Sequence, residues 1–85
     1  MRYMRITLSK TEKIMSLVNQ WDPTGEYAKS DDYRCYSYEA DTIACSIRKN
    51  SKIEKVEMAI KEVFPHANLN PEHVRLMAGY ILQAI

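Results

Sequence analysis

Two cysteines and two histidines are the side chains of this sequence that could hold a transition metal: Cys35, Cys45, His66 and His73. A zinc site usually draws its four ligands from closely spaced pairs such as Cys-x-x-Cys or His-x-x-x-His. Neither pair has that spacing here, because the cysteines lie ten residues apart and the histidines seven. The sequence therefore predicts no metal site, and we expect both cysteines to pack as small apolar side chains.

Four carboxylates, those of Asp22, Glu26, Asp31 and Asp32, lie in one stretch of the chain and could act as general acids or bases. Solvated acids on a loop are the more common case, and a nucleophile would also need an adjacent base and an orienting group. A phosphate-binding loop needs several glycines near a helix start, whereas the chain has two glycines far apart. The sequence predicts a protein that is not an enzyme and binds no cofactor.

The charges argue against nucleic-acid binding. Twelve Lys and Arg against eleven Asp and Glu give a net charge of +1, so no global field attracts a polyanion. The predicted last helix has one arginine, Arg75, and too little polar surface to read a DNA groove. A basic cluster could meet phosphates, but interspersed acids favour an ordinary solvated face. The cluster comprises Arg48, Lys49, Lys52 and Lys55, with Arg2 and Arg5. A nucleic-acid accessory protein remains the alternative.

Tyrosine is abundant, with six tyrosines and one tryptophan in 85 residues. Four of the tyrosines lie in or just after the stretch that links the first two predicted helices. Tyrosine is favoured at protein interfaces because it adds contact area and a polar tip at low entropic cost. The same rings could instead cover a small hydrophobic core. The predicted partner-binding residues are Trp21, Asp22, Glu26, Tyr27, Asp31, Asp32, Tyr33, Tyr36 and Tyr38.

The first helix is predicted to begin at Ser9, which forms a capping box with Glu12. Its apolar face carries Ile14, Leu17, Val18 and Trp21 at three- and four-residue spacing. The sequence Asp22-Pro23-Thr24-Gly25 then favours a type I turn, in which the Asp22 carboxylate can bond to the Thr24 amide. From residue 22 to about residue 33 no helical periodicity appears, and loops of this length are often binding loops.

Residues 33–48 permit two interpretations. Ala40, Ile43, Ala44 and Ile47 fit a helical stripe, whereas Ile43, Cys45 and Ile47 alternate as in a strand. A hairpin would have to turn at residues 39–41, which lack the Gly or Asn that a tight turn needs. We therefore favour a helix and keep a hairpin at residues 33–48 as the alternative.

Two further helices are predicted from their caps. Ser51 and Glu54 suggest a second capping box, and Pro65 ends that helix. Asn70 followed by Pro71 begins the last helix, in which Gly79 suggests a close helix contact. Short links between successive helices imply antiparallel neighbours. The predicted fold is all-α, a compact antiparallel bundle of about four helices forming a single domain over residues 1–85.

Several motifs also occur in a known family. These are Trp21-Asp22-Pro23 with Gly25, Tyr36 or Tyr38 with Glu39, Ile43 and Ile47, Glu62-Val63-Phe64, and Ala78 with Ile81 and Leu82. Together they resemble the YugE-like family of Bacillus-type bacteria, a small domain of unknown function. The resemblance spans roughly residues 9–85, and the Trp-Asp-Pro-x-Gly turn is its one distinctive piece. It implies an all-helical fold of about this size, and no activity.

The functional prediction is a non-enzymatic interaction module that binds a protein partner, or itself as a homo-oligomer, through residues 22–38 and the adjoining helix. One form of it is a protein encoded by a phage or mobile element that blocks a host defence system, by protein binding or by capture of a small signal molecule. The sequence contains no run of apolar residues long enough to span a membrane and no signal peptide, so we expect a cytoplasmic protein.

Overall fold

A computed structural model describes residues 8–85, which form five α-helices and, within that range, no strand. The helices are α1 (Lys10–Trp21), α2 (Glu26–Ser30), α3 (Ser37–Ser46), α4 (Ile53–Val63) and α5 (Pro71–Ala84). The predicted all-α fold is confirmed, and the alternative hairpin at residues 33–48 is wrong because α3 occupies most of that stretch. Arg2 and Arg5, named above as possible phosphate contacts, lie outside the described residues.

The four longer helices form a ring in which α1 packs on α3 and α5, and α4 packs on the same two helices. Contacts at the helix ends show that α1 and α3 run antiparallel. Lys10 at the start of α1 donates a hydrogen bond to the carbonyl of Ile47 just after α3, while Asp22 after α1 accepts one from Tyr36 just before α3. The antiparallel arrangement predicted from the sequence is therefore present for α1 and α3, although α2 lies in the segment that joins them.

Valine and isoleucine make up half of the buried apolar residues of the core, which come from the four longer helices and the residues at their ends. Ile14 and Val18 of α1 meet Ile43 of α3, and all three are fully buried. The apolar stripes predicted for α4 and α5 also face inward, with Ile53, Val63 and Leu82 half-buried at their edges, as Leu17 and Trp21 are on α1. The remaining buried apolar residues include Ala40, Ile47, Val56, Ala59, Ile60, Phe64, Val74, Met77, Ala78 and Ile81.

The helix caps agree with the sequence at two of three predicted positions. The Ser9 hydroxyl accepts from the Glu12 amide at 3.1 Å and the Glu12 carboxylate accepts from the Ser9 amide at 3.0 Å, so the first capping box is confirmed. The Asn70 side chain caps α5 by accepting from the Glu72 amide. The capping box predicted at Ser51 is wrong, because the Ser51 hydroxyl accepts from the Arg48 amide and closes the preceding turn instead.

The sequence predicts a loop without helical structure at residues 22–33, and this prediction is wrong. The stretch contains α2, a five-residue helix that has no fully buried side chain. A single turn without an apolar stripe leaves no periodicity in the sequence, and so short a helix needs contacts from outside itself to be stable. Those contacts come from the Asp22 carboxylate, as described below, and from Tyr27, which packs half-buried against the core.

Two predictions about small residues are corrected. Cys45 is exposed on α3, so of the two cysteines Cys35 alone packs against the core. Gly79 does not mark an especially close helix contact, because a Cβ atom there would lie 3.9 Å from the Ile53 side chain, an ordinary van der Waals distance. Helix packing therefore does not require glycine at position 79.

Candidate functional site

The Trp-Asp-Pro-x-Gly motif forms a tight turn at the end of α1. Pro23 disfavours right-handed helical geometry at Asp22, which adopts the left-handed region with φ 50°. The Gly25 amide donates to the Asp22 carbonyl at 3.1 Å, which closes the predicted four-residue turn. Gly25 itself has φ 76°, a conformation that glycine adopts without steric cost. The backbone geometry of this turn explains its proline and its glycine.

The Asp22 carboxylate joins three parts of the chain. It accepts hydrogen bonds from the amides of Tyr27 and Ala28 at 2.9 and 3.0 Å, which satisfies two free donors at the start of α2. It also accepts from the Tyr36 hydroxyl at 2.6 Å. The bond predicted from the Asp22 carboxylate to the Thr24 amide is not formed, because the carboxylate reaches past Thr24 to α2.

Thr24 completes this network from the other side. Its amide donates to the Tyr36 oxygen at 3.3 Å, and its hydroxyl lies 2.9 Å from the same oxygen. The single hydroxyl proton of Tyr36 is given to Asp22, so the Thr24 hydroxyl is the donor of the pair. We call Asp22, Thr24 and Tyr36 the turn network; it fixes the position of α2 relative to α3.

Tyr36 is one of the predicted binding residues, but it is 1% exposed and therefore cannot contact a partner. Its ring packs edge-on against Phe64 with centroids 5.7 Å apart, and Phe64 packs edge-on against Trp21 at 6.3 Å. Burial therefore decides between the two interpretations of this tyrosine in favour of the core. Trp21, Tyr36 and Phe64 form an aromatic cluster that anchors the turn to the end of α4.

The turn network shifts the pKa values of both its ionisable groups. The hydrogen bond from Tyr36 holds the pKa of Asp22 below its ordinary value; the Tyr27 and Ala28 amides act in the same direction, against partial burial. Burial, followed by the hydrogen bond to Asp22, raises the pKa of Tyr36. Both shifts favour a charged Asp22 beside a neutral Tyr36 over the physiological pH range.

The lowered pKa of Asp22 predicts a specific acid sensitivity. The stabilisation from this carboxylate should be complete above about pH 4, the ordinary aspartate pKa, and should be lost as the pH falls through the lower folded-state value. Urea unfolding of wild type and Asp22→Asn should therefore give a difference in unfolding free energy that shrinks on acidification.

Asp31→Asn is the matched control, because no hydrogen bond to the Asp31 carboxylate occurs within residues 8–85 and both residue types tolerate its left-handed backbone. It makes the same chemical change outside the turn network and so reports what the loss of a surface carboxylate costs by itself. An Asp22→Asn difference that does not shrink on acidification would show that the turn network does not hold the carboxylate.

A groove of about 430 Å³ lies between α1 and the segment that contains α2. Its apolar surface comes from Leu8 and Met15 on one side and from Tyr27 and Tyr33 on the other, with Leu8 47% and Tyr33 57% exposed. We call this feature the α1–α2 groove. Its complete lining is Leu8, Glu12, Met15, Ser16, Asn19, Gln20, Tyr27 and Tyr33.

Asn19 is a buried polar residue in the lining of the groove. Its amide nitrogen donates to the Tyr33 carbonyl at 2.7 Å, which ties the Tyr33 backbone to α1. This bond sets the orientation of the amide, because the opposite orientation would bring two oxygens together. Its Oδ1 is buried and has no hydrogen-bond donor in the described part of the chain. An unsatisfied buried acceptor costs about 1–3 kcal/mol of folding free energy.

The predicted binding residues separate into groups. Tyr27 and Tyr33 line the groove, whereas Trp21, Asp22 and Tyr36 belong to the supporting scaffold. The others lie on the surface outside the groove lining, including Tyr38, which is 76% exposed on α3. Those surface residues are Glu26, Asp31, Asp32 and Tyr38.

Six of the eight residues that line the groove are absent from the predicted binding set, namely Leu8, Glu12, Met15, Ser16, Asn19 and Gln20. Sequence reasoning also missed an apolar ridge on α5, where Leu76 is 56% and Tyr80 47% exposed, with a groove on each side. Leu76 and Tyr80 share a helix face at i and i+4, which the sequence could have indicated as a second apolar stripe.

Other side chains offer little for catalysis in the described range. Burial raises the pKa of the Cys35 thiol, so it is protonated and weakly nucleophilic at neutral pH. Within residues 8–85 no three Cys, His, Asp or Glu side chains converge as metal ligands would. No helix in that range is long and apolar enough to cross a membrane.

Comparison with models of known families, with curated proteins and with solved structures finds no match. The resemblance to the YugE-like family stays a prediction.

Proposed function

We propose that this protein is a non-enzymatic interaction module that binds a protein partner in the α1–α2 groove. The observation that carries the proposal is an exposed aromatic side chain, Tyr33, beside a concave apolar surface in a chain this small. Tyrosine at the edge of such a groove is typical of the residues that dominate binding energy.

The groove suggests the chemistry of its partner. A volume of about 430 Å³ accommodates one large or two small side chains, and its apolar lining favours aliphatic or aromatic ones. Glu12 in the lining and Arg34, whose guanidinium lies 5.8 Å from the Tyr33 ring centroid, add one charge of each sign. We infer a partner segment with an apolar anchor and mixed charges around it.

The turn network supports this function by fixing the groove before a partner arrives. α2 has no fully buried side chain, and only Tyr27 packs half-buried against the core, so the bonds from Asp22 add to the few contacts that hold it in place. Ordering a segment on binding reduces affinity, and a segment held in advance avoids that cost. The network thus connects the distinctive sequence motif to the proposed surface.

Tyr33→Ala tests the proposal, with Tyr38→Ala as its matched control. Both tyrosines are exposed, but Tyr33 alone lines the groove. Partner capture from the native host should be reduced at least about 30-fold by Tyr33→Ala, the effect of losing a 2 kcal/mol contact. Tyr38→Ala should capture as well as wild type. The bond from Asn19 to the Tyr33 carbonyl survives the substitution, so the unfolding free energy should change by less than about 0.5 kcal/mol.

A second candidate is self-association through the ridge on α5, which the exposure of Leu76 and Tyr80 favours. The same capture experiment distinguishes the two surfaces if Leu76→Ser is included. Should Tyr33→Ala retain its partner, or a second copy of the chain, while Leu76→Ser loses it, the ridge would be the interface and the groove proposal would be wrong.

Two narrower statements belong to the same proposal. We place the protein in the cytoplasm, a reducing compartment in which its two free cysteines are stable. One possible biological setting is inhibition of a host defence component by a phage or mobile element, for which a small binding module without catalytic groups would suffice.

A further inference from the structure

A second concave surface, distinct from the groove, carries a concentration of positive charge. Lys10 and Lys13 at the start of α1 face Arg48 and Lys49 in the link between α3 and α4. Together with Asn50 and Ile85 they line a cleft of about 540 Å³, which we call the basic cleft. The sequence places these two basic pairs 35 residues or more apart, and the antiparallel packing of α1 on α3 brings them together.

Within residues 8–85 no Asp or Glu forms an ion pair with the four cations of the basic cleft. No carboxylate side chain lines it, and the ion pairs found within residues 8–85 involve Arg75 with Glu54 and Glu57. Of the twelve Lys and Arg, four lie here, which leaves eight against eleven Asp and Glu in the rest of the chain. The near-neutral net charge of the chain is therefore the sum of a positive cleft and a remainder in which acidic residues outnumber basic ones.

The position of the two lysines opposes the local preference of a helix. Lys10 and Lys13 occupy the first turns of α1, where the helix dipole favours anions and disfavours cations. Lys10 is held in place by the hydrogen bond from its Nζ to the Ile47 carbonyl. Cations that repel each other and the helix end destabilise the free protein slightly, and a bound anion would reverse both effects.

We propose that the basic cleft binds a small molecule bearing two or more phosphate groups. Four cations around one concavity match a compact cluster of phosphate oxygens, which Lys and Arg bind through charge-assisted hydrogen bonds. The volume of about 540 Å³ is that of a typical small-ligand site. The four cations lie around one concavity and not along an extended surface, which favours a compact ligand over a nucleic acid. The site is independent of the proposed protein-binding groove.

The probe for this site is inorganic tripolyphosphate, titrated calorimetrically into the full-length protein at low salt. We expect saturable one-to-one binding that weakens as salt rises. Lys13→Gln and Lys49→Gln should each weaken binding about five- to ten-fold, because each removes one charged hydrogen bond. Lys61→Gln, the control with the same charge change on an exposed position of α4, should bind as wild type does. Circular dichroism would establish that all variants remain helical.

Three results would overturn the proposal. The first is the lack of saturable binding by folded wild-type protein. The second is an equal loss of affinity in Lys61→Gln and the cleft variants, which would reveal a general charge effect. The third is a single-stranded oligonucleotide of about twelve bases that binds more tightly than tripolyphosphate and loses affinity on the same two substitutions. That outcome would assign the cleft to nucleic acid.

Discussion

Replacement of Tyr36 by alanine is expected to lower the free energy of unfolding by about 3–5 kcal/mol, as large-to-small substitutions of buried aromatic residues do. Tyr36 is 1% exposed and packs edge-on against Phe64. Its loss would leave a cavity and would remove the hydroxyl that bonds to Asp22 and Thr24. A small domain has about 5–15 kcal/mol in total, so a large fraction of its stability should be lost. Urea unfolding followed by circular dichroism measures the effect.

Tyr36→Phe separates the hydroxyl from the ring. The phenylalanine variant keeps the contact with Phe64 and loses the hydrogen bonds, so we expect a smaller loss of about 1–2 kcal/mol. The turn network would be refuted as a stabilising element if Tyr36→Phe were as stable as wild type. A loss below about 1 kcal/mol in Tyr36→Ala would show that the residue is not in the core.

Phe64→Ala should cost about 3–5 kcal/mol for a related reason. Phe64 is 6% exposed and touches both Tyr36 and Trp21, so its removal breaks the aromatic cluster at its centre. Trp21 is the one tryptophan of the chain, and its fluorescence reports on this contact directly. We expect the emission of the folded variant to shift to longer wavelength as Trp21 becomes hydrated.

Phe64→Leu is the matched control, because it keeps most of the apolar volume and loses the edge-on ring contacts. We expect a loss of about 1–2 kcal/mol, made up of the aromatic contribution and minor repacking. An unchanged Trp21 emission spectrum in Phe64→Ala, or equal stability of the alanine and leucine variants, would contradict the described packing of the cluster.

Local rules account for most of the fold. The capping box at Ser9, the proline after Phe64 and the cap at Asn70 each determine a helix end through contacts with residues close in sequence. The apolar stripes of α1, α4 and α5 indicate which faces are buried. Such features depend on short-range geometry and on helical period, and both can be read from a single chain.

The missed features depend on contacts between distant residues. α2 has no stripe of its own and owes its position in part to a carboxylate that also reaches Tyr36, 14 residues along the chain. Asn19 lines the groove because its amide meets the Tyr33 backbone, and Lys10 meets residue 47 because α1 packs on α3. Pairings of this kind follow from tertiary packing, which overrides local preference.

The candidate groove contains two of the predicted binding residues. The segment from Asp22 to Tyr38 does contain Tyr27 and Tyr33, which line the groove. However, its most distinctive residues, Trp21 and Asp22, act as a scaffold together with Tyr36. Composition could not separate these roles, because a tyrosine that covers a core and one that lines an interface look alike in the sequence.

We propose that the turn network stabilises the fold, whereas Tyr33 contacts the partner. Measurement of both partner affinity and unfolding free energy for Tyr33→Ala and Tyr36→Phe, at a temperature where both are folded, tests it most directly. We predict that Tyr33→Ala loses the partner with its stability intact, and that Tyr36→Phe loses about 1–2 kcal/mol of stability while it still binds. The opposite pattern, with binding lost in a fully stable Tyr36→Phe and retained in Tyr33→Ala, would contradict the account.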